Sequence, residues 1–372
     1  MDFGHMIPDL IKGFSTLTLG NVVMILIGGV LIALAIIKEY EPVLLLPIGV
    51  GCIFANIGMS SDVGVFKVLY DAGIATEIFP LLIFVGVGAM IDFSPLLAMP
   101  SMALLGAAGQ FGIFGTLILA TLLNFPLNEA ASIGVIGAID GPTAIFVATK
   151  LAPELLAPIA VAAYSYMSLV PIIQPPLMRL LTTRNERMIR MDYAPREVSQ
   201  GALVLFPMLV ALIVGLIAPD AAPLIAMLML GNLLRTSGVV ERLNQSAQNE
   251  IVNIATLFLG LTIGSTMTAA SFLNMATLQI MVLGLLAFAL DTIAGLLFGK
   301  LMSTVTGGKV NPLIGACGIS AFPMAGRLAA QMAQEEDFEN FILMHAMGAN
   351  TAGQLGSVVA GGILLAIVTS LM

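Results

Sequence analysis

The sequence predicts an all-α polytopic membrane protein with about ten transmembrane helices and two broken or re-entrant hairpins, arranged as two inverted repeats. Three observations predict it. The chain is 59% hydrophobic, only 10% charged and has a mean hydropathy of +1.04, too apolar to cover itself with a water-facing surface. Apolar runs of spanning length recur from end to end. The second half of the chain echoes the first.

A short segment, 1–20, leads into apolar stretches near 21–37, 42–57, 79–97, 101–123 and 153–178. A second set occupies 202–218, 222–235, 251–270, 277–299 and 340–371. Two further apolar stretches, 129–150 and 311–333, are rich in glycine and carry Pro142, Pro312 and Pro323, which remove amide donors and break a helix. Each reads as a discontinuous or re-entrant hairpin, one inside each repeat (21–178 and 201–372). Between the repeats, 179–200 is a polar connector with Arg179, Arg184, Arg187, Arg190 and Arg196, which the positive-inside rule places in the cytoplasm. The N-terminus then lies outside. Lys38, Arg235, Arg242, Lys300 and Lys309 all fall on the cytoplasmic side, and only Lys12 and Lys67 lie outside.

Self-similarity runs at an offset of roughly 175 to 181 residues. IGAIDGPTAIFVATKLA from Ile136 aligns with IGACGISAFPMAGRLA from Ile314, matching Thr143 with Ser320 and Lys150 with Arg327. Pro42, Gly51 and Gly58 align with Pro223, Gly231 and Gly238, and IFVG at 83–86 with LFLG at 257–260. An odd number of spans per repeat inverts one half relative to the other, the architecture of transporters with a midplane site at broken helices.

Composition removes several classes of function. A net charge of −8 offers no basic patch for nucleic acid. Cys52 and Cys317 sit in apolar runs without disulfide or metal-ligand spacing, and His5 and His345 are too isolated to form a metal site. No cleaved targeting segment is evident.

Asp140 is the most informative residue, because an ionisable group deep in a span costs roughly 2.5 to 3.5 kcal/mol even on a lenient insertion scale. Gly137, Gly141 and Pro142 surround it, so unwound carbonyls should accompany the carboxylate and form a hard-oxygen environment suited to Na⁺. Asn311 and Asn350 could add amide oxygens, although Asn311 before Pro312 also reads as a helix N-cap. Ser320 and Thr143 could donate hydroxyl oxygens or bond back to helix carbonyls. Arg327 reads as an anion anchor or as a snorkelling helix-end arginine. Tyr164 and Tyr166 place phenols in an apolar span, where at least one needs a buried partner and Tyr166 could deliver a proton. Asp92, Glu241 and Arg242 fit structural roles at the membrane edge.

GAIDGPTAIF, KLAPELLAPIAVAAYSYMSLVPIIQPP, GNLLRTSGVVERL, NPLIGACGISAFPMAGR and MHAMGANTAG resemble signature stretches of the beta subunits of sodium-translocating, biotin-dependent decarboxylases for oxaloacetate, glutaconyl-CoA and methylmalonyl-CoA. The resemblance implies a subunit of the bacterial cytoplasmic membrane that decarboxylates carboxybiotin carried on a biotin carrier protein or domain, exports Na⁺ and consumes a proton. Carried over by position, it associates Asp140, Asn311, Asn350 and Ser320 with sodium, and Tyr166, Ser320 and Arg327 with sodium, proton or carboxybiotin handling. The partners it implies are a carboxyltransferase alpha subunit, the biotin carrier and a small single-span membrane subunit, with homo-oligomerisation in the complex. The segment from 56 to 78 is short beside the oxaloacetate members, and Cys317 occupies a small-residue position; the shortness leans toward the CoA-thioester systems. The same architecture would fit an ion-coupled solute transporter without decarboxylase chemistry, or a membrane scaffold, for which Asp140 would have no use.

Overall fold

The computed structural model describes residues 17–192 and 197–372. His5, Lys12, Arg196 and nearly all of the segment 1–20 lie outside the described residues. Among the described residues the regular structure is helical throughout, with no strand.

Each of the ten apolar segments contributes helix. In chain order these are α1 (Leu19–Ile37), α2 (Pro42–Ala55), α3 (Ile78–Met90), α4 (Met102–Ala108) and α5 (Phe111–Leu122). The first hairpin supplies α6 (Leu127–Gly134) and α7 (Gly141–Leu151), followed by α8 (Leu156–Ser168) and α9 (Val170–Leu181). The second half supplies α10 (Gln200–Ile217), α11 (Ala222–Ser237), α12 (Val252–Thr266), α13 (Met275–Val305), α14 (Met324–Glu336) and α15 (Leu343–Leu371). Among the described residues five helical spans are long and apolar enough to cross a membrane, or up to seven when each bent pair counts as one.

Local chemistry sets where these helices begin, bend and stop. Thr18 starts α1 with a capping box, its hydroxyl accepting from the Asn21 amide while Asn21 accepts from the Thr18 amide. The segment expected at 153–178 bends by 63° between α8 and α9, at Leu169, because Pro171 has no amide with which to continue the ladder. The segment 101–123 breaks at Gly109 and Gln110 into α4 and α5. Helix α3 stops at Met90, short of the expected 97, where Asp92 accepts from the Ser94 amide and turns the chain.

Helices cross between halves by backbone approach. A Cβ on Gly51 would fall 2.4 Å from the Leu261 carbonyl oxygen, and one on Gly231 would fall 2.0 Å from that of Val85, so α2 lies on α12 and α11 on α3 without side chains intervening. Helix α5 packs on α13, and α15 runs against α4 and the second hairpin.

The basic connector is neutralised by the acidic end of α14. Arg187 and Arg190 grip Glu336 and Asp337 at 2.6 Å, Arg179 meets Glu335 at 3.0 Å, and Arg184 meets Glu336 at 3.2 Å. These arginines therefore do not present a free basic surface. The connector is strapped to the second hairpin.

Candidate functional site

Both hairpins lose helical structure at their middles. In the first, α6 tightens into a 3-10 turn over Val135–Ala138, Ile139 takes a left-handed conformation (φ 53°), and Asp140 is extended before α7 restarts with Gly141 and Pro142. In the second, a 3-10 turn over Pro312–Cys317 gives way to irregular chain until Met324 begins α14. Glycine and proline density predicted both breaks, and they fall where the sequence placed them.

Helix α15 reads both breaks with one face. Asn350 donates to the Ile319 carbonyl of the second break at 2.7 Å, while Gln354 and Ser357 donate to Asp140 Oδ2 of the first at 3.1 and 3.5 Å. These residues are spaced i, i+4 and i+7, one side of a helix. Thr143 also donates to Asp140 Oδ2, at 2.6 Å. All the side-chain donors on Asp140 therefore converge on Oδ2, and Oδ1 carries none among the described residues. Gln110, at the α4–α5 break, binds the carbonyls of Gly318 and Gly353 at 3.2 and 3.3 Å, and Ser320 binds that of Gly353 at 3.3 Å.

A cavity of about 680 Å³ lies between the breaks, lined by Glu41, Asp140, Tyr164, Ser320, Arg327 and Gln354 among others. Arg327 stands in the first turn of α14, exposed, and its guanidinium makes no ion pair with a described residue. A second hollow of about 490 Å³, between Ala107–Phe114 and Ala294–Leu301, is lined by apolar side chains and Gln110 and lacks titratable groups.

The structure brings Asp140, Ser320 and Arg327 to one cavity. Asn350 is fully buried, with its Oδ1 unpaired among the described residues. Asn311 stands apart. Its Oδ1 accepts from the Leu313 amide at 3.0 Å and its Nδ2 donates to the carbonyls of Arg187 and Ile189, each at 2.9 Å, so its amide caps the 3-10 turn and fastens the connector. Asn340 binds the same two carbonyls from the other end of the hairpin. Tyr166 also points elsewhere, donating to the Met281 carbonyl. Tyr164 takes its place at the cavity. Lys150, matched to Arg327 in the sequence, pairs with Glu77 at 2.9 Å instead.

Sequence reasoning passed over Gln354, Ser357, Gln110 and Asp291. The last lies fully buried in α13 and accepts from the Gly112 amide at the start of α5. The argument that picked out Asp140, an acid inside an apolar span, would have found Asp291. The polar series Asn350, Gln354 and Ser357 at helical spacing would have found the α15 face.

Residues 20–368 match the model of the family described as Na⁺-transporting oxaloacetate decarboxylase beta subunit. The chain is 52% identical to the methylmalonyl-CoA decarboxylase subunit beta of Veillonella parvula over 359 residues, 96% of each chain. It is likewise 52% identical to the glutaconyl-CoA decarboxylase subunit beta of Acidaminococcus fermentans over 360 residues, again 96% of each. With the oxaloacetate decarboxylase beta chain of Klebsiella pneumoniae it shares 45% over 428 residues, covering 97% of this chain and 99% of that one.

Proposed function

The chain belongs to the family of Na⁺-transporting decarboxylase beta subunits, and from that membership we propose how its residues divide the work. It is a membrane-embedded subunit of a multi-subunit decarboxylase and couples decarboxylation to sodium transport. In our reading the substrate is carboxybiotin on a biotin carrier protein, delivered to the cavity from the cytoplasm. Arg327 holds its carboxylate, because a guanidinium fork matches a carboxylate bidentately. The N–CO₂ bond breaks, CO₂ leaves and the ureido nitrogen takes a proton. Na⁺ binds at Asp140, with Ser320 and Asn350 contributing oxygens nearby, and leaves to the outside. Asn311 and Tyr166 serve as packing and fastening residues in this reading.

The observation that carries the reading is that both broken hairpins open on one cavity lined by Asp140 and by Arg327, which has no ion pair with a described residue. A transporter of an uncharged or cationic solute needs no such anion anchor beside its cation site. Equivalent crossings at the aligned Gly51 and Gly231, and the paired breaks, support inverted repeats of five spans and a hairpin each, with the connector in the cytoplasm. The partners we assign are the biotin carrier, a carboxyltransferase alpha subunit and a small single-span subunit, with several copies of this chain in the complex. Higher identity to the CoA-thioester members supports a CoA thioester as the carboxyl source.

Purified protein supplied with free carboxybiotin tests this. Decarboxylation should require Na⁺ and should disappear in Asp140→Asn, which removes the carboxylate that neutralises a desolvated cation. Asp140→Glu should also fail, since a fixed shell tolerates little displacement. Normal Na⁺-dependent turnover in Asp140→Asn would refute the assignment.

A further inference from the structure

Two groups on the cavity wall have no role in the reading above, and both are oxygen donors. Tyr164 is 5% exposed, its hydroxyl is buried without a hydrogen-bond partner among the described residues, and it lines the cavity beside Asp140. A phenol kept dry normally finds a partner, as the neighbouring Tyr166 does. Its ring is also closely seated. A Cβ on Gly141 would fall 2.1 Å from Tyr164 Cζ, so only glycine at the start of α7 lets the phenol reach the break.

The other group is Glu41. It precedes Pro42 at the start of α2 in a left-handed conformation (φ 36°, ψ 58°), which a residue other than glycine adopts at a cost. It forms no side-chain cap there. Glu41 lines the same cavity, and its carboxylate has neither ion pair nor hydrogen bond among the described residues.

We propose that Tyr164 and Glu41, with the Asp140 carboxylate, form a cation position on the wall of the cavity that all three line. Three hard oxygens of this kind suit Na⁺. The phenol carries no net charge, so it can bind the ion without trapping it. Glu41 is the carboxylate that compensates for the water the ion sheds on entering. The position deepens the proposed function and rests on the assignment of Asp140 as the sodium carboxylate.

The test measures ²²Na⁺ binding, and Na⁺-dependent thermal stabilisation, on the intact purified complex carrying Tyr164→Phe, Glu41→Gln or both, with Tyr166→Phe as the control. Each of the first two should weaken Na⁺ binding roughly tenfold, the order expected on removing one contact to a charged partner. The double variant should lose less than the product of the two, because both contacts act on one ion. Tyr166→Phe should stay within about twofold of wild type, since its hydroxyl is already committed to the Met281 carbonyl. Wild-type affinity in either Tyr164→Phe or Glu41→Gln overturns the position, as does a loss in Tyr166→Phe equal to that in Tyr164→Phe. If Asp140→Asn abolishes turnover while Tyr164→Phe binds Na⁺ normally, this inference alone fails; if Asp140→Asn turns over normally with Na⁺, the underlying assignment fails first.

Discussion

Gln354 Nε2 donates to Asp140 Oδ2 at 3.1 Å, so the last helix fixes the orientation of the carboxylate at the first break. One turn earlier on the same face, Asn350 holds the Ile319 carbonyl of the second break at 2.7 Å. The two breaks, far apart in sequence, are joined by a single rigid rod. A shift of α15 must be felt at both.

Gln354→Leu should therefore weaken apparent Na⁺ affinity without removing a sodium ligand. The bond it breaks involves a charged acceptor and is worth about 1.5 to 3 kcal/mol, which sets an upper bound of roughly tenfold to a hundredfold. Thr143 and Ser357 still hold Oδ2, so some of the orientation should survive. Titration of decarboxylation with Na⁺ checks this, and an unchanged half-saturation would show that Asp140 needs no such support.

Asn311→Asp offers a sharper contrast, because a carboxylate would keep a possible cation ligand but lose the donors to the Arg187 and Ile189 carbonyls. Asn340 still donates to both carbonyls, so each loses one of two donors, at about 0.5 to 1.5 kcal/mol apiece. Thermal unfolding should fall while Na⁺ affinity in the surviving protein stays close to wild type. A stable variant with altered Na⁺ affinity would return Asn311 to the sodium site.

How much of this was legible in the sequence depends on the kind of signal. Spans, breaks and the importance of Asp140 follow from local composition, because hydrocarbon penalises charge and proline interrupts helices wherever they occur. Direction is harder to read. Tyr164 and Tyr166 are two residues apart, so they point to different sides of α8, and sequence alone does not say which side faces the cavity. Asn311 was ambiguous for the same reason, since an N-cap and an ion ligand use the same oxygen. The pairing of the connector arginines with Glu335, Glu336 and Asp337 joins segments separated by most of the second half, and no local pattern announces it.

That pairing should depend on pH. The bonds from Arg187 hold the Glu336 carboxyl below its ordinary range, and the bonds from Arg190 do the same for Asp337. Acids lowered in this way stabilise the strap fully above the usual carboxylate range, and the stabilisation is lost as pH falls through their lowered values. Hydrogen exchange at the amides of 183–189 should accelerate on acidification and at high salt, since exposed pairs are screened. Glu336→Gln should show the faster exchange already at neutral pH. Protection that ignores both pH and salt would mean that Asn311 and Asn340 hold the connector without the ion pairs.

Topology can be checked by labelling at exposed positions. Cysteines at Asp192 and Lys309 should react with reagents confined to the cytoplasm, and one at Asp71 with external reagents. Labelling of Asp192 and Asp71 from the same face would refute the inverted arrangement while leaving family membership intact.

The final prediction concerns coupling between Arg327 and sodium. Exporting one Na⁺ against the membrane potential costs about 2.3 kcal/mol per 100 mV, so a site open to both sides would dissipate the reaction. If carboxybiotin is the substrate, as proposed, it and Na⁺ must therefore influence each other, and the structure offers a contiguous route. Arg327 lies in the first turn of α14, directly after the break that carries Ser320. Ser320 binds the Gly353 carbonyl, and the next residue, Gln354, binds Asp140. Loading the guanidinium should shift this chain of contacts and tighten the cation site, and by reciprocity Na⁺ should tighten carboxybiotin binding by the same factor, typically about 1 to 3 kcal/mol. Arg327→Ala should weaken carboxybiotin binding strongly and abolish the effect of the carboxylated carrier on Na⁺ affinity. Arg327→Lys should restore only part, because an ammonium lacks the planar fork. Sodium affinity measured with the carboxylated and the uncarboxylated biotin carrier decides the matter. If wild type and Arg327→Ala bind Na⁺ identically under both conditions, the two sites are uncoupled and the route through Ser320 and Gln354 carries nothing.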